Sequence, residues 1–484
     1  MAAPVEPRRP SLPQALVPVV VLVAVLATNV AVFGDGAIEG PNQLALLLAA
    51  AVAMGVGMYN GHAYRDLLGA IVKGISTATG AILILLMIGA LAGTWLLCGT
   101  VPRMIDDGLR LLSPAWFPVA ACMACAMVSL AIGSSWSTAA TVGIALVGIG
   151  QAMGYNTGLV AGAVISGAYF GDKLSPLSDT TNLAPAVAGS DLFTHIRYLL
   201  WTTLPSMAIA LVLFLVIGLN FQGDGAVGEV DALREAIGAR FALPVGLYAP
   251  PVLVLLLIWR KVPPLPALFA GTVAGALCAA LLQPALLREL AADENMLRGT
   301  YRLVLGTMAS GVDVDTGHPA ADKLLSASGM AGMLNTVWLI VCAMAFGGAM
   351  EGATLLQRIT AAVMTAVRGD ASLVGTTAAS CVFVNVTASD QYLSIVVPGR
   401  MYAPVYQDRG LAPQLLSRTL EDSGTVTSAL VPWNTCGAYM TGVLGVATGA
   451  YLPYCFFNLA SPLMTVLYAA LGLRIARLPA GGRK

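Results

Sequence analysis

The chain has 484 residues, of which 57% are Ala, Val, Ile, Leu, Met, Phe, Trp, Tyr or Cys and 10% are charged, where a typical soluble domain has about 25% charged residues. Its 25 basic and 25 acidic residues cancel, so there is no basic footprint for nucleic acid or for an anionic membrane surface. An ordinary soluble globular protein is excluded, because this much apolar sequence needs the low-dielectric interior of a bilayer.

The first apolar run, 12–33, follows Arg8 and Arg9 and has the length of about 20 residues that a bilayer core demands. It lacks the short apolar region and clear cleavage site of a signal peptide and is read as a membrane helix. Further runs follow near 42–59, 79–99, 115–132, 138–153, 157–170, 196–219, 245–259, 264–282, 331–350, 372–385, 390–398, 424–446 and 450–473. They are continuous rather than alternating in polarity, which excludes an outer-membrane barrel. Several are too short or too interrupted to cross a bilayer alone. Between 221 and 243 lies a polar connector with an amphipathic helix, VDALREAIGARF, and 286–330 is a second stretch of mixed polarity. The predicted fold is an all-α polytopic membrane protein with about 11–13 transmembrane helices. It divides into a first half at 1–220, the connector 221–243, a second half at 244–473 and a basic tail at 474–484.

Arg8 and Arg9, Arg65 and Lys73, and Arg474, Arg477, Arg483 and Lys484 fit one side of the membrane, so both termini are predicted to be cytoplasmic at the inner (plasma) membrane. Arg103 and Arg110, which flank Asp106 and Asp107, pull weakly the other way. The eight Cys lie in or beside apolar runs. Cys122-x-x-Cys125 has no second pair or His nearby, so it is read as helix packing, with no metal centre or disulfide framework. Glycines at 150, 154, 158 and 162 likewise suggest close helix packing.

Three pairs of features recur at nearly equal offsets. Ser134 in AIGSSWST and Ser389 in TASDQYLS are 255 residues apart; Pro176 in LSPLSDTTN and Pro432 in LVPWNTCG are 256 apart; Gly89-x-x-x-Gly93 and Gly348-x-x-x-Gly352 are 259 apart. Related halves with broken helices are a signature of secondary transporters.

Polar residues inside apolar runs are costly and mark function by default. The richest place is SGAYFGDKLSPLSDTTNLAPAVAG, 166–189, where Pro176 and Pro185 break the helix between apolar stretches. Unwound backbone at membrane depth needs protein or a water-filled cavity around it. Asp179, Thr180, Thr181 and Asn182 supply neutral and anionic oxygens on one short segment, with Asn434 and Thr435 as counterparts after Pro432. Ser134, Ser135, Ser137 and Thr138 stand at the other break of the first half, and Thr387, Ser389 and Asp390 at that of the second. Such oxygens can replace the water of a hard cation such as Na⁺. A carboxylate among them can hold either a proton or the cation, because burial favours its neutral form and a nearby cation its charged form.

Other arrangements have plainer readings. Asp172 and Lys173 also fit a headgroup-level pair, Glu351 an interfacial carboxylate, and Glu421 and Asp422 a local ion pair with Arg418. His62, His195 and His318 are isolated in sequence.

The run GAVISGAYFGDKLSPLSDTTNLAPAVAGSDLFTHIRY, with TASDQYLSIVVPGRMY, RGLAPQLLSRTLEDSGTVTSALVPWNTCGAYMTGVLGV and YLPYCFFNLASPL, resembles the NhaC family of Na⁺/H⁺ antiporters, most strongly over about 130–220 and 380–465. The resemblance implies a secondary transporter of the ion-transporter superfamily with inverted repeats and broken or re-entrant helices. Inward Na⁺ flow would drive H⁺ or another solute outward, and the family includes proteins similar to malate/lactate exchangers. The motif falls on Asp172, Lys173, Ser175, Ser178, Asp179, Thr180, Thr181 and Asn182, and on Asp390, Glu421, Asp422, Trp433, Asn434 and Thr435. Among these the oxygen-rich surroundings rank Asp179 and Asn182 first as cation ligands and Asp172 next as a proton carrier. Lys173, Glu421 and Asp422 are read as charge partners, with Lys173 also a candidate for an internal cation displaced during transport.

The expected function is Na⁺/H⁺ antiport. The alternative is a Na⁺- or H⁺-coupled exchanger of a small organic anion, for which Lys173 or Arg400 would supply the recognising cation. With no G-x-x-x-x-G-K-[ST] loop, no H-E-x-x-H and no credible triad, neither ATP, an organic cofactor nor catalysis is expected. The partners expected are the lipid bilayer, Na⁺ and H⁺.

Overall fold

The computed structural model describes residues 7–221, 227–291, 295–365 and 367–478. The first half comprises α1 (Leu12–Phe33), α2 (Pro41–Tyr59), α3 (Tyr64–Thr77), α4 (Thr79–Leu97), α5 (Thr100–Leu111), α6 (Phe117–Ile132), α7 (Ser135–Thr138), α8 (Ile144–Ala152), α9 (Thr157–Leu174), α10 (Asp179–Ala188) and α11 (Leu192–Leu219). The connector holds α12 (Val227–Arg240). It is followed by α13 (Ala249–Trp259), α14 (Pro264–Leu282), α15 (Pro284–Ala291), α16 (Met296–Ser310) and α17 (Pro319–Leu324). The rest of the second half is α18 (Leu334–Gly352), α19 (Leu355–Met364), α20 (Asp370–Thr387), α21 (Gln391–Asp408), α22 (Pro413–Leu420), α23 (Thr435–Leu444), α24 (Thr448–Tyr451) and α25 (Phe456–Ala470).

Among the described residues seven helices are long and apolar enough to cross a membrane, or up to nine if each of two bent pairs is one span. The bent pairs are Ala232–Arg240 with Val245–Trp259, at 91°, and Thr448–Tyr454 with Phe456–Ala470, at 56°. The expectation of about 11–13 spans also counted the shorter and interrupted helices. The apolar run 424–446 is one of these: it consists of π and 3₁₀ turns, a break at 431–434 and the ten-residue α23. In the connector Leu233, Ile237 and Phe241 are buried at the four-residue spacing of one helix face, while Arg234 pairs with Asp106 at 2.9 Å. The region 286–330 departs from the all-α expectation through a two-stranded antiparallel hairpin, β1 (Val312–Asp313) with β2 (Ser326–Ala327).

Small residues bring the helices near the centre together, since lipid-facing chains gain little from hydrophobic association and rely on close packing. A Cβ on Gly167 would overlap the carbonyl of Cys122, and one on Gly171 that of Ala126, so α9 lies directly against α6. Cys122 and Cys125 are buried in that contact, as the packing reading of the C-x-x-C required. Gly158 and Gly162 similarly admit the backbone of Ala450 and Tyr454.

The broken segments repeat in backbone detail. Gly133 (φ 76°) and Ser389 (φ 58°) are both left-handed, and each precedes a helix N-cap, Ser134 and Asp390. Gly154 (φ 83°) matches Gly410 (φ 66°), and Gly189 (φ 79°) matches Gly445 (φ 65°). Ser178 and Asn434 both cap short helices. All these pairs lie 256 residues apart. Ser134 therefore corresponds to Asp390, one residue beyond its sequence-level partner Ser389. The boundaries of α4 and α18 coincide at 255, which leaves the Gly-x-x-x-Gly offset of 259 about one turn out of register.

Candidate functional site

Each half brings two helix N-termini to one place. The chain cannot continue as α-helix through Gly133-Ser134 or through Ser175–Ser178, where Pro176 removes a backbone donor. In the second half Ser389 and the Pro432 segment make the equivalent interruptions. The caps occupy the freed N–H groups. Ser134 Oγ accepts from Ser137 N at 3.1 Å, Ser178 Oγ from Thr181 N at 3.4 Å, Asp390 Oδ1 from Leu393 N at 2.8 Å and Asn434 Oδ1 from Cys436 N at 3.0 Å.

These ends surround a cavity of about 290 Å³. Seven of the twelve residues predicted to bind the ion form part of its wall, Ser134, Ser135, Asp172, Asp179, Thr180, Asp390 and Thr435, and Ser137 and Ser178, also marked in the sequence, join them. Asp172 is buried in the last turn of α9 and accepts a 2.7 Å hydrogen bond from Ser135 Oγ. Protein encloses it on the cavity side of α9. Asp179 opens α10 and is exposed, whereas Asp390 is buried. Helix N-termini carry partial positive charge and favour carboxylate anions, so Asp179 and Asp390 are held where their charge is least costly. Among the described residues no Lys, Arg or His is part of the wall.

The remaining predicted ligands turn elsewhere. Asn182, ranked among the first, is exposed and donates to Pro176 O at 2.9 Å and Ser178 O at 2.7 Å, tying down the broken segment. Thr181 donates to the carbonyls of Asp172 and Lys173, both at 3.2 Å, at the end of α9. Thr387 donates back to Phe383 O at 2.8 Å. Ser389 contributes its carbonyl to Thr435 N at 2.9 Å, and its buried hydroxyl has no hydrogen-bond partner among the described residues. Asn434 donates to Asn385 O and Oδ1, both at 3.1 Å.

Behind the cavity lies a second polar compartment. Lys173 and Asp422 are both fully buried and form an ion pair, and Lys173 also donates to Ser461 at 2.8 Å. Asp422 and Glu421 belong to a π-helical turn, Glu421–Thr425, a geometry frequent at functional sites. Thr180 donates to Glu421 Oε1 at 3.1 Å, with Ser178 Oγ 3.2 Å from Thr180 Oγ1. That chain connects the compartment to the cavity wall. The local pairing of Arg418 with Glu421 and Asp422 is corrected: the Arg418 guanidinium lies over Tyr198, 4.7 Å from the ring centroid, and none of its nitrogens makes a hydrogen bond among the described residues. His195 is isolated in sequence but buried here, with Nδ1 2.8 Å from Ser417 Oγ.

Sequence reasoning missed the aromatic part of the wall. Trp136 and Tyr439 are stacked with ring centroids 4.0 Å apart, and Tyr392 is a third ring. Trp136 lies between the flagged Ser135 and Ser137, and its position in that motif was the available signal. Tyr439 meets it from 303 residues away, a contact that no local pattern reveals.

The chain matches the Na⁺/H⁺ antiporter family over residues 167–473, which include the inner compartment and all three carboxylates of the cavity wall but not its parts from α3, α4 and Gly133–Ser137. It is 35% identical over 435 residues to the Na⁺/H⁺ antiporter NhaC of Alkalihalophilus pseudofirmus, covering 90% of this chain and 91% of that one. It is 34% identical over 433 residues to the malate-2H⁺/Na⁺-lactate antiporter of Bacillus subtilis, with 89% and 90% covered. It is 35% identical over 475 residues to the arginine/ornithine antiporter ArcD of Halobacterium salinarum, with 97% and 93% covered. Near-equal identity to proteins with three different cargoes leaves the choice of substrate to the cavity, while the extent of the match makes this chain a member of the Na⁺/H⁺ antiporter family.

Proposed function

We propose that this protein exchanges Na⁺ for H⁺ across the inner membrane and holds the cation in the cavity between Asp172, Asp179 and Asp390. The carrying observation is a wall that, among the described residues, has three carboxylates from both halves and no basic side chain. Ser134, Ser135 and Thr435 add neutral oxygens of the kind a partly dehydrated Na⁺ uses. Na⁺ and H⁺ compete because each neutralises the same carboxylates. The recurrence at 256 residues supports two inverted halves, with alternating access by movement of one against the other. The clusters of Arg and Lys near the first, second and last spans support cytoplasmic termini.

The organic-anion reading needs a cation in the site. Lys173 is committed to Asp422 and Ser461, outside the wall, and Arg400 is exposed and also outside it. An anion entering the cavity would meet three carboxylates instead.

The test uses purified protein in sealed liposomes with an internal pH dye. An external Na⁺ pulse is expected to make the lumen more alkaline, and Asp172→Asn and Asp179→Asn are each expected to abolish the response while inserting normally. Silence with Na⁺ alone, followed by a response when malate or lactate is supplied, would overturn the proposal.

A further inference from the structure

The cavity wall has features that a single Na⁺ leaves unused. Its volume of about 290 Å³ is room for on the order of ten waters or one molecule of amino-acid size. Trp136 and Tyr439 stack at an interplanar angle of 18°, and Tyr439 OH donates to Trp136 O at 3.1 Å, which fixes the pair. Tyr439 is fully buried, the Trp136 ring remains partly open, and Tyr392 is 47% exposed. Ile84 and Leu268 give part of the remaining wall an apolar face. Na⁺ is satisfied by oxygen atoms in direct contact. Organic cations gain in addition from ring faces, with Trp the strongest partner, and from apolar surface against their hydrocarbon. The charge pattern fixes the sign of the guest, and the rings and volume point to its size.

We propose that the same cavity takes a small organic monocation, an alkylammonium or alkylguanidinium, in competition with Na⁺. Its charged head is shared among Asp172, Asp179 and Asp390, and its hydrocarbon lies against the Trp136–Tyr439 stack. This rests on the cation site proposed above and adds a second class of cargo for it.

The experiment measures radiolabelled Na⁺ bound to the detergent-purified full chain and its displacement by n-propylammonium and methylguanidinium. Propionamide and N-methylurea serve as neutral controls of similar shape, and propionate as the anion. The two organic cations are expected to displace Na⁺ while the controls do not. Trp136→Leu is expected to weaken displacement by the organic cations about tenfold relative to displacement by unlabelled Na⁺. Trp136→Phe, which keeps a ring face, is expected to restore most of that ratio. Organic cations no better than their neutral isosteres, with unlabelled Na⁺ still displacing, would overturn the proposal. Equal weakening of both displacements by Trp136→Leu would also overturn it, because the ring would then serve the wall as a whole. Absence of saturable Na⁺ binding would instead defeat the Na⁺ reading. Direct binding of labelled methylguanidinium, with Asp172→Asn as control, would then decide the present proposal, and its absence would end it.

Discussion

Replacing Lys173 by Met removes the ammonium but nearly preserves the side-chain volume, leaving Asp422 buried without its counter-charge. Both residues of the pair are fully buried. Among the described residues Asp422 Oδ1 keeps only Ser461 Oγ, at 3.2 Å, and Oδ2 has no hydrogen-bond partner. Breaking a buried pair from one side costs about 3–5 kcal/mol, because the remaining charge is stranded. Each kcal/mol shifts the melting temperature of a domain of 150–250 residues by about 2–4 °C; at about half that sensitivity for this larger chain, Lys173→Met melts about 3–10 °C lower. Replacing both partners by apolar residues of similar size is often neutral or stabilising, so Lys173→Met/Asp422→Leu should recover most of the loss. The assay is thermal unfolding of the purified protein, read by tryptophan fluorescence and by retention of monodisperse protein. A single variant melting within a degree of the parent, or a double variant losing the sum of the two single losses, would refute the claim that each charge is there to neutralise the other.

Four further outcomes follow from local geometry. Gly133→Ala places a Cβ 2.6 Å from Leu177 Cβ at a left-handed φ of 76° and should destabilise by about 2 kcal/mol or more, whereas Ser389→Gly, at φ 58°, should raise the melting temperature slightly by relieving about 1 kcal/mol of the same strain. Gly167→Val should prevent α9 from seating on α6, and a yield of folded protein near that of the parent would contradict the packing described. Asp191 accepts from Thr194 N at 2.9 Å at the start of α11, and this backbone donor holds its carboxyl below the usual aspartate range; the cap is therefore fully present above about pH 4 and lost as pH falls through the lowered value, so the protection of first-turn α11 amides, measured relative to their intrinsic exchange at each pH, should fall at low pH in the parent and not change with pH there in Asp191→Asn.

The residues that break helices were legible because their effects are local. Pro176, Pro432 and the polar segments around them interrupt apolar runs in any folding context, and the cavity forms at those interruptions. Seven of the twelve predicted ion-binding residues reach its wall. The other five were chosen as oxygen donors by proximity in sequence, and proximity does not fix direction: Thr181 and Asn182 follow Thr180 directly, yet both spend their hydrogen bonds on the backbone of the broken segment. Contacts across the chain were out of reach for a related reason. Lys173 finds Asp422 at a separation of 249 residues, and Glu421 was read beside Arg418 because the two are three residues apart. The π-helical turn at Glu421–Thr425 alters the side-chain directions that ordinary helical spacing would have given.

Keeping the two compartments apart has a consequence for coupling. In the inner one, the charge of Lys173 is balanced by Asp422 and Glu421 lies on the same turn with Thr180 donating to it, so burial of the Lys173–Asp422 pair is compatible with either position of the bundle. In the cavity, three carboxylates have no fixed counter-charge, and only the ends of α10 and α21 offset Asp179 and Asp390. Enclosing such an empty site would place unpaired anions in low dielectric, at a cost of several kcal/mol per ion. A cation or a proton removes that cost, so on the function proposed here movement of the halves is favoured only when the site is loaded. Thr180, with its hydroxyl on Glu421 and its residue on the cavity wall, is placed to communicate the state of one compartment to the other. Exchange, rather than leak, then follows from where the uncompensated charges lie.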